Sequence, residues 1–204
     1  MIGQQEYSRS MSNGRGSRRG AVASCAEEYG GDIRHARQVS FLALRLFDEL
    51  QPLHRRTGTD REYLEYAALL HDIGWVEGRA GHHRLALEMI RRDERLPFNE
   101  YERRIIGNIA RYHRKSPPKE SHAPFAELDA SDRKRVCDLA ALLRVADGLD
   151  VTHTDAVREI DCDVHPDRVV IRCAFSSPAV EEQKSALKKS ALFESVYGRR
   201  LVIE

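Results

Sequence analysis

A change of hydrophobic period near residue 155 constrains this chain more than any other feature. From Asp32 to Thr154 apolar side chains recur at the three- and four-residue spacing of amphipathic helices, and beyond that point they alternate. A first helix is expected behind an Asp32 cap, with Val39, Leu42, Ala43, Leu46 and Phe47 on one face. A second, capped by Asp60, carries Leu64, Ala67, Ala68 and Leu70 and is expected to end at Gly74. A third carries Leu85, Ala86, Met89 and Ile90. Asn99 and Glu102 have capping-box spacing for a fourth through Ile105, Ile106 and Ile109, stopped by Ser116-Pro117-Pro118. Ser131 is expected to open a fifth, with Val136, Leu139, Ala140, Leu143 and Ala146 facing inward.

After Thr154, Ile160, Cys162 and Val164 alternate, His165-Pro166-Asp167 reads as a turn, and Val169, Ile171 and Cys173 alternate again. That is a hairpin. Pro178 is placed to start a helix through Leu187 and Leu192, and residues 200–203 to return as a strand. The expected fold is mainly α. It comprises a disordered basic tail over residues 1–22, a helical domain over 23–154 and a small mixed α/β appendage over 155–204.

Composition removes several functional classes. A chain of 204 residues, 41% hydrophobic, can bury a sizeable core. Its apolar runs are too short for a membrane span, and its basic N-terminus lacks the apolar stretch of a signal peptide, so a cytoplasmic location is expected. Lys and Arg total 33 against 32 for Asp and Glu, leaving no global attraction to nucleic acid or membrane. The clusters Arg91-Arg92, Arg103-Arg104 and Arg133-Lys134-Arg135 interleave with acids on outward faces, which argues further against nucleic acid. Cys25, Cys137, Cys162 and Cys173 form no CxxC pair and read as reduced thiols; a Cys162–Cys173 bridge across the hairpin is the less favoured alternative.

The functional signal lies in polar residues that share the helices' apolar stripes. His35 lies four before Val39, and His71 lies three after Ala68 with Asp72 beside it. His82 precedes Ala86 by four, His113 follows Ile109 by four, and Asp147 follows Leu143 by four. A lone inward histidine is usually a hydrogen-bonded core residue. An inward carboxylate costs several kcal/mol unless it is paired or bound to a metal. An ion pair with Arg144 would account for Asp147 alone but not for the imidazoles. A shared cation accounts for all of them, and mixed imidazole and carboxylate donors suit Zn, Mn, Fe, Co or Ni better than Mg.

The order His35, His71-Asp72, Asp147 resembles the H…HD…D pattern of the HD superfamily of metal-dependent phosphohydrolases. The segments HARQVSFLALRLFDEL, AALLHDIG, GHHRLALEMI, IARYHRKSPP and LAALLRVADGLD are more closely similar to the C-terminal HD domain of the exopolyphosphatase/guanosine pentaphosphate phosphatase family, and the likeness runs from about Ala23 to Glu204. In that family the phosphatase chemistry belongs to actin-like domains that precede this one. Hydrolysis of polyphosphate or pppGpp is therefore not carried over, because only 34 residues precede His35 here. What carries over is an HD-type helical bundle and its metal pattern.

The resemblance implies His35, His71, Asp72 and Asp147 around a first divalent ion. It also implies His82 and His113 on a second, with Asp72 bridging the two. His82 is preferred to its neighbour His83, which could replace it or orient the phosphate. Two ions would supply a bridging hydroxide and a clamp on the phosphate oxygens. Arg114 and Lys115 directly follow His113, where a cation would stabilise the phosphate, although an exposed loop would place them equally well. Gln38 could meet a ligand or face solvent; His54, His122, His153 and His165 lie in expected loops or turns and are set aside. The GYP signature of cyclic-di-GMP phosphodiesterases is missing, and Gly30-Gly31-Asp32 reads as a turn and helix cap.

The expected function is hydrolysis of a small anionic phosphoester or nucleotide. The alternatives are a single-metal nucleotidase and a non-catalytic nucleotide-binding regulatory module with a structural metal. A homodimer is plausible by analogy only.

Overall fold

A computed structural model of the chain describes residues 18–78 and 80–204. The fold is mainly helical with one small three-stranded sheet. Helix α1 spans residues 18–28 and buries Val22, Cys25 and Ala26. The tail boundary expected at residue 22 therefore lies inside a helix; residues 1–17 of that tail lie outside the described residues. Arg18 anchors this helix by donating to Glu102 at 2.9 Å and to the Pro97 carbonyl at 3.1 Å.

Helix α2 (Ile33–Glu49) follows the expected Asp32 cap, whose side chain accepts from the His35 amide at 3.1 Å. A single turn, α3 (Gln51–His54), leads to α4 (Gly58–Leu70). The cap of α4 is Thr57, and Asp60 is its capping-box partner rather than the cap itself. Nor does Gly74 end α4: the helix stops at Leu70, and Gly74 lies within a 3-10 turn, η1 (Ile73–Glu77). A Cβ on Gly74 would sit 2.2 Å from the His82 carbonyl oxygen, so only glycine lets η1 press against the first turn of α5 (His82–Arg92).

Helix α6 (Glu100–Arg111) carries the expected Asn99/Glu102 capping box. A short turn, α7 (Ala123–Ala126), precedes α8 (Ala130–Gly148), which is capped by Asp129 rather than opened by Ser131. Residues such as Val136, Leu139, Ala140 and Leu143 are fully buried, and this nearly encircling apolar surface makes α8 the central helix of the bundle. The core contacts of α2, α4 and α6 gather around it.

Strands β1 (Val157–Val164) and β2 (Arg168–Phe175) form the expected antiparallel hairpin, with Ile160 opposite Cys173 and Cys162 opposite Ile171. All four cysteines are free. The helix expected after Pro178 is two helices, α9 (Val180–Lys188) and α10 (Ala191–Tyr197), broken at Lys189-Ser190. Strand β3 (Arg200–Ile203) returns parallel to β2. The sheet is tied to the helical part: Gln38, expected either to meet a ligand or to face solvent, instead donates to the Val157 carbonyl at 2.6 Å. Among the described residues no helix is long and apolar enough to cross a membrane.

Candidate metal centre

Five helices and one 3-10 turn bring the inward imidazoles and acids to one place. His35 comes from the first turn of α2, His71 and Asp72 from the junction of α4 and η1, His82 from the start of α5, His113 from just beyond α6, and Asp147 from the last turn of α8. His35, His71, His82 and His113 are each at most 2% exposed, which in a polar residue demands partners.

The side chains meet through particular atoms. Asp147 Oδ1 lies 3.5 Å from His35 Nε2 and 3.9 Å from His71 Nε2. Asp72 Oδ2 lies 3.5 Å from His71 Nε2 and 4.0 Å from His35 Nε2. The other oxygen of that carboxylate, Oδ1, faces away, 3.1 Å from His82 Nε2 and 3.5 Å from His113 Nε2. Asp72 thus divides the cluster into a half with His35, His71 and Asp147 and a half with His82 and His113. Donor atoms about 2.1 Å from one ion lie about 3 to 4 Å from each other, the range seen here. His35, His71 and Asp147, and likewise His71, Asp72 and His113, are grouped closely enough to hold a metal ion.

The far nitrogen of each ring shows which electron pairs point inward. His71 Nδ1 lies 2.7 Å from the Ala68 carbonyl, and His113 Nδ1 2.7 Å from the Ala110 carbonyl. A carbonyl only accepts, so both Nδ1 atoms carry the proton and donate, leaving Nε2 as a bare lone pair. His35 Nδ1 is 2.8 Å from the fully buried Asp150, a carboxylate partner of the kind that orients metal-binding imidazoles. His71 Nε2 is buried with no hydrogen-bond partner among the described residues.

Electrostatics separate the two halves. Burial disfavours the His35 imidazolium, but hydrogen bonds to Asp147 and Asp150 outweigh it and raise the pKa to about 9. Burial pushes His113 the other way, down to about 3, with the neighbouring His71 adding to the effect. Burial also works against the Asp72 carboxylate, yet the imidazoles of His71, His82 and His113 hold it well below its usual range. Asp147 is likewise held low against burial, chiefly by Lys189, whose Nζ sits 2.5 Å from Oδ2.

Lys189 also displaces the expected bland alternative. Arg144 does not pair with Asp147 but donates to the carbonyls of Tyr112, at 3.1 Å, and Lys115, at 3.0 Å. Sequence reasoning missed Lys189 and Asp150. Lys189 arrives from the break after α9, which no local pattern foretells. Asp150 lies seven residues after Leu143 and three after Asp147, a spacing that would have placed it near the same face. His153, set aside as a loop residue, stacks on His35 with ring centroids 3.8 Å apart and lies 2.8 Å from Asp32.

A cleft of about 410 Å³ opens over the cluster, walled by Trp75, Arg114, Lys115, Arg144, Lys188 and Lys189. Arg114 Nη1 approaches His82 Nε2 to 3.5 Å. Its cationic rim suits an anionic ligand above a cation-binding floor. His83 is not part of that floor. Its ring lies 5.8 Å from that of His82 and lines a neighbouring cavity, and burial together with His82, Arg84 and Arg114 lowers its pKa to about 4.

The model of the family described as Ppx/GppA phosphatase, domain III, matches residues 17–192, from the N-terminal helix through α8 and into α10. With most of its 204 residues inside that match, the chain belongs to the Ppx/GppA phosphatase domain III family.

Proposed function

We propose that this chain is a metal-dependent phosphohydrolase that cleaves a phosphoester of a nucleotide or small phosphorylated metabolite. The observation that carries the reading is the convergence of the Nε2 atoms of His35, His71 and His113 on two carboxylates. His71 and His113 aim no N–H inward, because each donates its Nδ1 proton to a backbone carbonyl. Bare lone pairs facing carboxylates repel unless a cation stands between them. The order of these residues, similar to the H…HD…D pattern of the HD superfamily, supports the same reading.

Two ions fit the division at Asp72: His35, His71, Asp72 Oδ2 and Asp147 would hold one, and Asp72 Oδ1, His82 and His113 the other. When bound, two divalent ions supply a water of lowered pKa and a Lewis-acid clamp on the phosphoryl oxygens. The chain's own residues do the rest. Asp150 and the Ala68 and Ala110 carbonyls fix the imidazole tautomers and ring directions. Lys189 holds one oxygen of Asp147 and so turns the other inward. Arg114 and Lys115, on the cleft wall, would neutralise phosphoryl oxygens as charge builds.

Chelation should abolish hydrolysis of a generic phosphoester, and Mn or Co should restore it. His71→Ala and Asp72→Ala proteins that hydrolyse every tested phosphoester as well as the parent would defeat the proposal. Nucleotide-dependent thermal stabilisation without phosphate release under any metal would instead mark a binding module.

A further inference from the structure

Beside the metal centre lies a second and larger cavity, of about 730 Å³, with a different wall. His83, Arg84, Arg111, Arg114, Lys115 and His122 line it, and among the described residues no carboxylate does. That is unusual in this chain, whose acidic and basic residues are equal to within one. Elsewhere arginines are consumed in ion pairs: Arg56 with Asp138 at 2.6 Å, Arg61 with Asp48 at 2.8 Å, Arg95 with Asp93 at 2.8 Å, Arg133 with Glu120 at 2.8 Å. Arg84, Arg111 and Lys115 form no ion pair among the described residues. Glu88, one helical turn after Arg84, pairs with Arg92 instead, and Arg111 lies over the ring of Tyr112.

Cations held together without counter-charges repel, and an anion delivered from outside relieves that repulsion. Guanidinium groups favour phosphate because they donate two parallel hydrogen bonds to it. The cavity adjoins the cleft over the His/Asp cluster, with Arg114 and Lys115 lining both. An anion seated here could therefore be covalently part of a molecule whose other end lies over Asp72.

We propose that this cavity seats a second phosphate group of the substrate. The molecule acted on then carries two phosphates, one at the His/Asp centre and one among Arg84, Arg111 and Lys115. This substrate class rests on the hydrolase reading above, but the cavity itself does not require hydrolysis to be detected.

Alkane bisphosphonates of graded chain length are suitable probes, because their carbon–phosphorus bonds resist hydrolysis. In manganese-loaded protein, one chain length should bind about tenfold or more tightly than the monophosphonate of equal length. The Arg84→Ala/Arg111→Ala double variant should erase that gain and leave the monophosphonate affinity within about twofold of the parent. The exposed single variant Arg84→Ala, expected to lose part of the gain, guards against misfolding of the pair. The absence of a gain at every length, or a gain that survives both substitutions, would overturn the proposal. Monophosphonate binding indifferent to manganese would count against the metal centre instead, while the response of bisphosphonate binding to the double variant would still decide the cavity.

Discussion

The two halves of the His/Asp cluster share one carboxylate and differ in almost everything around it. On the His35 side two acids face two imidazoles, and Asp150 and Lys189 brace the group from behind. On the His82 side two imidazoles lie 3.4 Å apart at their Nε2 atoms, with one oxygen of Asp72 as the acid and Arg114 close by. The same residue type responds in opposite directions: His35 is raised to about 9 and His113 lowered to about 3. One half is built to hold positive charge firmly, and the other carries less negative charge. An ion held by the first half would therefore bind tightly, and one held by the second would exchange readily.

The largest effect is expected where the halves meet. Asp72→Ala removes a donor from both and should lower phosphoester turnover by about a thousandfold or more, read from kcat/KM with saturating Mn. Activity that survives with two ions still bound would dissolve the comparison. His113→Ala should leave one tight ion per chain and lower turnover by about a hundredfold, checked by metal analysis alongside kinetics. If His113→Ala instead abolished the tight ion, the halves would be assigned the wrong way round.

The helices and their inward polar residues were legible because both obey the same period. Val39, Leu42 and Leu46 define a face, and His35 falls on it whatever the rest of the chain does. What resisted reading was non-local or very short. Helix α1 hides behind a run of Ser, Gly and Arg, and its anchors on Pro97 and Glu102 lie more than 75 residues away. The one-turn helices α3 and α7 leave too few residues to show a period. Lys189 reaches Asp147 only because α9 packs on α8 at Gly148, where a Cβ would lie 2.5 Å from Ala186 Cα. The pairing of Asp72's two oxygens with different histidines is a matter of side-chain angle, which no spacing encodes.

Smaller effects sharpen the contrast. Lys189→Ala frees one oxygen of Asp147 and should weaken the tight ion about 10- to 100-fold in a Mn titration while sparing the weaker one. Equal loss at both positions would assign Lys189 to general stability. Gly148→Ala should destabilise the fold by about 1–3 kcal/mol through overpacking against Ala186, measured by urea denaturation.

The smallest effect is a dependence of stability on pH in chelator. His35 is raised above its unfolded value of about 6.5, so its contribution is fully present below that pH and lost as pH rises through about 9. His113 is depressed, so its contribution is present above about 6.5 and lost as pH falls toward about 3. Thermal melts should therefore show the alkaline loss reduced in His35→Ala and the acid loss reduced in His113→Ala. A metal held by His35 would take the place of its inward proton and should flatten the alkaline limb.

Manganese binding to metal-stripped protein, followed by calorimetry in the parent and in His71→Ala, tests the central claim most directly. The parent should take up two ions per chain in distinguishable steps, the tighter one absent from His71→Ala. A parent that binds no ion, or a variant that binds as the parent does, would contradict a cation shared by these histidines and acids.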